Sequence, residues 1–293
     1  MASKSGSSKL WGSFKLLVFS KRNAYKIKIM LKLRIEKLGL ACIDDTRSIG
    51  RMSIFFIQGL WRNFVPFVQI GKIIEQVWFI GYKSVFVIIL TAMFTGMVLG
   101  LQGYYTLVDF GSEATLGSAV AITLIRELGP VLSAIMIAAR AGSAMAAEIG
   151  VMRISEQIDA LETMDIHPVR FTFSPRLSAS IISFPLLTAL FDVTGIFGGF
   201  LSGVVILDVN QYLYMDKVIR SIELADVTGG FVKALVFGVI VSTMCCYKGF
   251  FAHIAGAGAG QGAKSVSLAT TNAVVNSCIL ILVSDYIITS FLV

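Results

Sequence analysis

The chain has 293 residues, of which 56% are hydrophobic and only 15% are charged, and its mean hydropathy is +0.80. This composition excludes an ordinary soluble domain and is typical of a protein that crosses a membrane several times. The net charge of +7 is concentrated near the start, because 15 of the 25 Lys and Arg residues lie at or before Lys83, against four acidic residues. Nucleic acid is a competing partner for such a basic block, but the interleaved apolar residues favour an anionic lipid surface.

Residues 1–82 are predicted to form a basic region on the membrane surface. The first eight are predicted to be disordered, and Lys9–Leu40 interleaves basic and apolar residues as a helix lying among lipid headgroups does. Residues 49–82 are more apolar, and a second interfacial helix is predicted there because four charges leave runs too short to span, namely Arg51, Arg62, Lys72 and Glu75. No apolar core of a signal peptide is visible, so we expect the N-terminus to stay in the cytoplasm.

Residues 83–293 are predicted to contain five transmembrane helices, and the predicted fold class is therefore an all-α integral membrane protein. The predicted spans are Ser84–Val108, Leu116–Ala139, Leu177–Leu207, Gly229–Phe251 and Ser267–Phe291. The connecting loops alternate between basic and neutral or acidic, as the excess of Lys and Arg in cytoplasmic loops requires. This alternation predicts a cytoplasmic N-terminus and places Val293 on the opposite side of the membrane.

An amphipathic helix is predicted between the second and third spans, over residues 148–166. Its apolar residues recur at steps of three and four and share one helical face, namely Val151, Ile154, Ile158, Leu161 and Met164. Pro168 is expected to end the helix, because Pro cannot continue the backbone ladder. A helix joined to two spans could receive a push from a soluble partner through its charges, which are Arg153, Glu156, Asp159, Glu162 and Asp165. The alternative is an interfacial helix that rests on lipid.

Apart from Lys248 near the cytoplasmic end of the fourth span, five charged residues lie within the predicted spans, where an unpaired charge costs several kcal/mol. Arg126 and Glu127 are adjacent in the second span, and neighbours on a helix point about 100° apart, so they are not expected to neutralise each other. Asp192 is a candidate partner for Arg126 at a similar depth, while Lys233 and Asp285 are a candidate pair. Two interpretations remain open: structural ion pairs that hold the bundle together, or a polar station on the path of an amphipathic substrate.

Two further patterns concern packing and nucleotide binding. Gly96–Gly100 and Gly199–Gly203 are GxxxG motifs, which let helices pack closely either within one bundle or between two chains. Gly256–Ser265, GAGAGQGAKS, lacks the adjacent Gly-Lys of a P-loop and follows a transmembrane helix, so we expect a flexible cytoplasmic loop there. No catalytic triad, paired catalytic carboxylates or metal-ligand spacing is visible. The chain is therefore expected to hold no cofactor and to be no enzyme.

Several stretches together resemble the MlaE family of ABC-transporter permeases, whose plastid relatives move lipids across the inner envelope. They are GMVLGLQGY (Gly96–Tyr104), SEATLG (Ser112–Gly117), RELGPV (Arg126–Val131), ARAGSAMAAEIGVMRISEQIDALETM (Ala139–Met164), SPR (Ser174–Arg176) and SFPLL (Ser183–Leu187). The resemblance covers about Ile49 to the C-terminus. The basic first 40 residues depart from it, since they are longer and more charged than the family pattern.

The resemblance implies the partners and the substrate. It implies a homodimer that works with a cytoplasmic ABC ATPase, which would bind ATP and Mg, and with a periplasmic MCE-domain protein. A small STAS-domain protein is a further candidate partner. The implied substrate is a glycerophospholipid of the bacterial inner membrane, with the plastid inner envelope as the other candidate location, and residues 148–166 would be the coupling helix.

A lipid site is predicted around the first two spans, because a two-tailed lipid needs an apolar cavity and a few polar groups. Leu99, Leu101 and Tyr104 stand near the outer end of the first span, and Arg126 and Glu127 lie deeper in the second. In a dimer with these spans facing the axis they would form one outward-facing pocket, with Arg126 meeting the phosphate. Two alternatives are a proton-coupled secondary transporter that uses Asp192 and Asp285, and a membrane scaffold that transports nothing.

Overall fold

The computed structural model of the chain describes residues 46–61, 70–255 and 262–292. Within these ranges every regular element is a helix, which confirms the all-α fold class. Helix α1 covers residues 46–61, and its part from Phe55 onward belongs to the compact unit that contains the remaining described chain. The predicted helix Lys9–Leu40 and most of the predicted loop Gly256–Ser265 lie outside the described residues.

Among the residues that the structure describes, five long helical runs are apolar enough to cross a membrane: Ile70–Val108, Glu113–Ile154, Pro168–Ile206, Leu224–Phe250 and Gly262–Phe291. The five predicted spans fall on these runs. The α-helices are α2 (Ile70–Ile80), α3 (Val85–Val108), α4 (Leu116–Thr123), α5 (Gly129–Ile137), α6 (Ser143–Ile154), α7 (Gln157–Thr163), α8 (Pro168–Thr172), α9 (Ser174–Phe200), α10 (Gln211–Ser221), α11 (Leu224–Phe250), α12 (Ala252–Ala255) and α13 (Gly262–Leu292).

The first run begins earlier than predicted, at Ile70 rather than Ser84. Its 39 residues extend about 58 Å at ~1.5 Å per residue, roughly twice the hydrocarbon thickness of a bilayer. A short 3-10 turn at Tyr82–Ser84 divides it into α2 and α3. Lys72, which was expected to interrupt a span, instead places Nζ 3.3 Å from the ring centre of Phe171, and such a contact accommodates the charge on a helix.

The second run departs from α-helical geometry in two π-helical turns, Leu124–Leu128 and Ala138–Gly142. Pro130 follows the first of them. A proline ring clashes with the carbonyl four residues earlier in an α-helix, so a wider turn before Pro130 is the expected local response. Wider turns of this kind occur often at functional sites.

The two GxxxG motifs pack against each other inside this chain. Gly96 of α3 is so close to Gly195 of α9 that a Cβ on Gly96 would overlap the Gly195 backbone. A Cβ on Gly100, one turn later, would lie 3.0 Å from the carbonyl oxygen of Gly199. Small residues on both helices permit this approach. Of the two uses that the sequence left open for these glycines, the structure therefore shows packing within one bundle.

The single helix predicted over residues 148–166 is wrong in its continuity. α6 ends at Ile154, and α7 begins only at Gln157. Between them Glu156 has a left-handed φ of 58°, a conformation that a right-handed helix cannot contain. Ile158 is buried and anchors α7, whereas Met164, predicted on the same face, is 68% exposed. Val151 and Ile154 are also exposed, at 55% and 38%, so the five apolar residues do not form one continuous buried face across the break.

The third and fourth runs are joined by α10, which packs on α4; we call this side of the bundle the α10 end and the opposite side the α7 end. The side chain of Asn210 begins α10 by accepting two backbone N–H bonds. Tyr214 is buried, and its hydroxyl donates to the carbonyl of Ile196 at 3.3 Å. Burial raises the pKa of Tyr214 to about 12, so the hydroxyl stays protonated and remains a donor.

Candidate functional site

The first π-helical turn, Leu124–Leu128, contains Arg126 and Glu127, the two charged residues of the predicted second span. Pro130 lacks the N–H that an α-helix would direct to the carbonyl of Arg126. That carbonyl accepts instead from Nζ of Lys233 at 2.8 Å. The proline therefore explains why a lysine side chain from another helix completes the backbone at this point.

Lys233 is the centre of a charge cluster that we call the Lys233 cluster, formed with Glu127 and Asp285. The Lys233 side chain is 2% exposed, and Nζ lies 2.8 Å from Oε2 of Glu127 and 3.0 Å from Oδ1 of Asp285. With the Arg126 carbonyl, three oxygens surround an ammonium group that has three N–H donors. Thr289 donates to the other oxygen of Glu127 at 3.3 Å. A buried ammonium is tolerated only with such partners.

Arg126 is bound separately, by a carboxylate at the start of α11. Its Nε donates to Oδ1 of Asp226 at 2.6 Å, and the side chains of Arg126 and Asp226 are 51% and 10% exposed. The second oxygen of Asp226 accepts from the backbone N–H of Glu223 at 3.3 Å, which closes a capping box. The fold therefore fixes Asp226, while the Arg126 guanidinium stands at the surface. Its terminal nitrogens make no hydrogen bond to the described residues.

The residues that contact the π-helical turn Leu124–Leu128 lie at helical spacing on two helices, α11 and α13. On α11, steps of four and three place three residues on one face, namely Asp226, Gly230 and Lys233. A Cβ on Gly230 would lie 2.8 Å from the carbonyl oxygen of Ile125, so this glycine lets α11 approach the turn. On α13, Asp285 and Thr289 are four residues apart and both reach the cluster.

The candidate pairing of Arg126 with Asp192 is not the one that the structure shows, because Arg126 binds Asp226. Asp192 lies beside Gly129, where a Cβ would overlap its Oδ1. Among the described residues this buried oxygen has no hydrogen-bond partner. Asp226 was not considered as a partner because it lies in residues 208–228, between the predicted third and fourth spans. The fourth helical run in fact begins at Leu224 and so includes Asp226.

A groove of about 290 Å³ lies between α3 and α4 and reaches Thr123, three residues before Arg126 along the chain. We call it the α3–α4 groove, and its lining residues are Leu99, Gln102, Gly103, Thr106, Leu107, Ala119, Val120 and Thr123. Thr123 is the residue directly before the π-helical turn that carries Arg126 and Glu127. The Glu127 side chain is 42% exposed, like its neighbour Arg126 only partly covered. The mainly apolar groove therefore ends beside a turn that carries two partly exposed charges.

The structure brings together only part of the predicted lipid site. Leu99 lines the α3–α4 groove. Leu101 is 41% exposed and is not among the lining residues, and Tyr104 is partly buried against the core. Arg126 and Glu127 lie beyond the groove, each with a protein partner.

The predicted coupling residues lie at the α7 end. Arg153 joins three helices, because its Nη1 lies 2.6 Å from Oδ1 of Asp159 and its Nε donates to Nδ1 of His253 at 3.3 Å. Glu156, Glu162 and Asp165 are exposed. The last two border a cavity of about 480 Å³ whose other lining residues are Gln58, Ile166, His167, Pro168, Val169 and Phe250.

Two residues of the Arg126 and Lys233 surroundings were missed by sequence reasoning. Asp226 was counted as a loop acid, although its position seven residues before Lys233 puts both on one helical face. Thr289 carried no charge that would single it out, although it follows Asp285 by one helical turn. A search at helical spacing from each predicted intramembrane charge would have found both.

Comparison with known proteins assigns the chain to a family. The profile of the family described as Permease MlaE matches residues 73–291. A probable ABC transporter permease protein of Rickettsia bellii is 42% identical over 254 residues, which are 87% of this chain and 95% of the relative. The intermembrane phospholipid transport system permease protein MlaE of Haemophilus influenzae is 38% identical over 263 residues, 88% and 97% of the two chains. The chloroplastic protein TRIGALACTOSYLDIACYLGLYCEROL 1 of Arabidopsis thaliana is 32% identical over 231 residues, 79% of this chain and 61% of the relative. The chain therefore belongs to the MlaE permease family.

Proposed function

We propose that this chain is the membrane subunit of an ABC transporter that moves glycerophospholipids between the bacterial inner membrane and a periplasmic MCE-domain carrier. It works as a homodimer, with its N-terminus in the cytoplasm and its C-terminus in the periplasm. A cytoplasmic ATPase binds ATP and Mg and supplies the energy, and a small STAS-domain protein is a further partner. Membership of the family and the name of the Haemophilus influenzae relative, an intermembrane phospholipid transport system permease protein, support this proposal.

One observation carries the choice of substrate: the apolar α3–α4 groove reaches Thr123, three residues before the partly exposed Arg126 along the chain. A phospholipid has this same order of parts, since apolar tails end in a phosphate. An apolar groove can hold acyl chains that leave the bilayer without exposing them to water. A guanidinium matches phosphate oxygens in a two-pronged geometry and keeps its charge at any physiological pH.

The two cations of the site have different roles in this proposal. Lys233 is buried, donates to the Arg126 carbonyl and to Glu127, and forms an ion pair with Asp285, so its charge stabilises the fold. Arg126 donates Nε–H to Asp226, and its terminal nitrogens are available to a ligand. The headgroup therefore meets Arg126, and Glu127 stays with Lys233.

The α7 end supplies the contact with the ATPase. Glu156, Glu162 and Asp165 are exposed acids there, and α7 is fixed to α6 and α12 through Arg153. A push on α7 would therefore be transmitted to the second run, which carries Arg126. The cavity beside Glu162 and Asp165 has room for a basic side chain of the partner.

Filling the groove tests the proposed function. We expect Thr123→Trp to reduce ATP-driven movement of a fluorescent phospholipid in proteoliposomes by at least about tenfold, because the indole occupies the space of an acyl chain. Ile279→Trp is the matched control, since Ile279 is 54% exposed on α13 and a larger apolar side chain there has room.

Equal transport by the two variants and the wild type would contradict the assignment of the groove. Transport driven by a proton gradient without ATP would favour the proton-coupled alternative, and an absence of any lipid movement would favour the scaffold.

Charge reversal tests the ATPase contact. Glu156→Lys with Glu162→Lys should release the ATPase from the purified complex, because both acids are exposed at the proposed interface. Glu113→Lys reverses an exposed acid at the α10 end and should leave the complex intact. The contact lies elsewhere if the double variant copurifies with a full complement of ATPase.

A further inference from the structure

We propose that Asp226 is the positioning residue for the phosphate-binding end of Arg126, an inference that rests on the proposed function. Asp226 takes Nε of Arg126 and thereby aims the two terminal nitrogens at the substrate. The guanidinium is a planar group with a fixed fork of donors, so fixing Nε fixes the direction in which the terminal pair points.

The geometry separates a fixed partner from an accessible one. Asp226 is 10% exposed, and its other oxygen is engaged with the Glu223 N–H in the capping box of α11. The Arg126 side chain is 51% exposed, so the aspartate is the fixed partner and the arginine is the accessible one. One carboxylate oxygen therefore serves the helix and the other serves Arg126.

The backbone of Arg126 is held by the same face of α11. Lys233 binds the Arg126 carbonyl at 2.8 Å, and Gly230 lets the helix approach the turn. The backbone carbonyl and Nε of Arg126 are thus both held by hydrogen bonds with residues of α11. Among the described residues nothing bonds the terminal nitrogens, which can therefore meet a ligand. Positioning of this kind raises affinity by reducing the freedom lost on binding.

The test uses the purified full-length permease in nanodiscs and two photoreactive probes, a phosphatidylethanolamine and a diacylglycerol with the same acyl chains. The wild type should label with the phospholipid in preference to the diacylglycerol. Asp226→Ala should reduce phospholipid labelling roughly tenfold, the effect of losing one charge-assisted hydrogen bond, and leave diacylglycerol labelling unchanged. Asp226→Asn, which retains an oxygen acceptor for Nε, should retain most of the preference.

Two controls separate positioning from a structural role. Glu223→Ala removes the other half of the capping box and leaves the hydrogen bond between Asp226 and Arg126 in place, and it should keep the wild-type preference. In an Arg126→Met background, Asp226→Ala should have no further effect on phospholipid labelling, because the group that it positions is gone.

The outcomes also separate this inference from the proposed function. It is overturned if Asp226→Ala keeps the wild-type preference, if both probes lose labelling equally, or if Glu223→Ala lowers the preference as much. A wild type that labels with neither probe, or with both equally, overturns the lipid-binding function and this inference together.

Discussion

Replacing Lys233 by Met is expected to destabilise the permease by about 3 to 5 kcal/mol, the cost of removing one partner from a buried ion pair. The substitution leaves Glu127 and Asp285 facing each other inside the membrane without their cation. It also removes the donor that satisfies the Arg126 carbonyl, which Pro130 has already deprived of its helical partner. The measurements are the yield of monodisperse protein and its thermal unfolding in detergent.

Two further variants make the Lys233 prediction specific. Lys264→Met removes an exposed lysine at the start of α13 and should unfold within about 0.5 kcal/mol of the wild type. Asp285→Asn combined with Lys233→Met removes one of the stranded charges and should recover part of the loss. If Lys233→Met is as stable as Lys264→Met, the Lys233 cluster does not hold the bundle together.

Gly96→Ala is expected to cost about 1 to 3 kcal/mol or more, because the added methyl group would overlap the backbone of Gly195. A flexible side chain could move aside, but a helix backbone can yield only if α3 and α9 separate along their whole contact. Thermal unfolding in detergent should show a clear decrease in the melting temperature.

Gly71→Ala provides the matched control for Gly96→Ala. Gly71 lies in α2, and no side chain or other helix among the described residues comes within 4 Å of the position that its Cβ would occupy. Alanine there should stabilise the helix slightly, by at most about 1 kcal/mol. Similar melting temperatures for the two variants would mean that the close α3–α9 approach is not required for stability.

Much of the fold could be predicted from the sequence, because each helical run contains an apolar stretch long enough to cross the bilayer. The division between α2 and α3 at Tyr82–Ser84 also agrees with the predicted start at Ser84. The break at Glu156 could not be predicted, because its left-handed conformation depends on how α6 and α7 are held and not on a glycine or proline.

The candidate site could be predicted only in part. A charged residue inside an apolar span is recognised from the sequence, but the residue that pairs with it is not. Arg126, Glu127, Lys233 and Asp285 stand out against apolar neighbours. Asp226 lies at the first turn of its helix, where an acid is common for capping and attracts no attention. Which carboxylate an arginine chooses depends on how helices are arranged in the bundle, and spacing along one helix does not supply that arrangement.

The central claim is that a lipid phosphate meets Arg126 where the α3–α4 groove ends, and cryo-electron microscopy of the permease in phosphatidylethanolamine nanodiscs tests it most directly. We predict density for acyl chains along the groove and for a phosphate within hydrogen-bonding distance of the terminal nitrogens of Arg126, with Asp226 still on Nε. The account would be contradicted by a groove without lipid and a phosphate bound at another place.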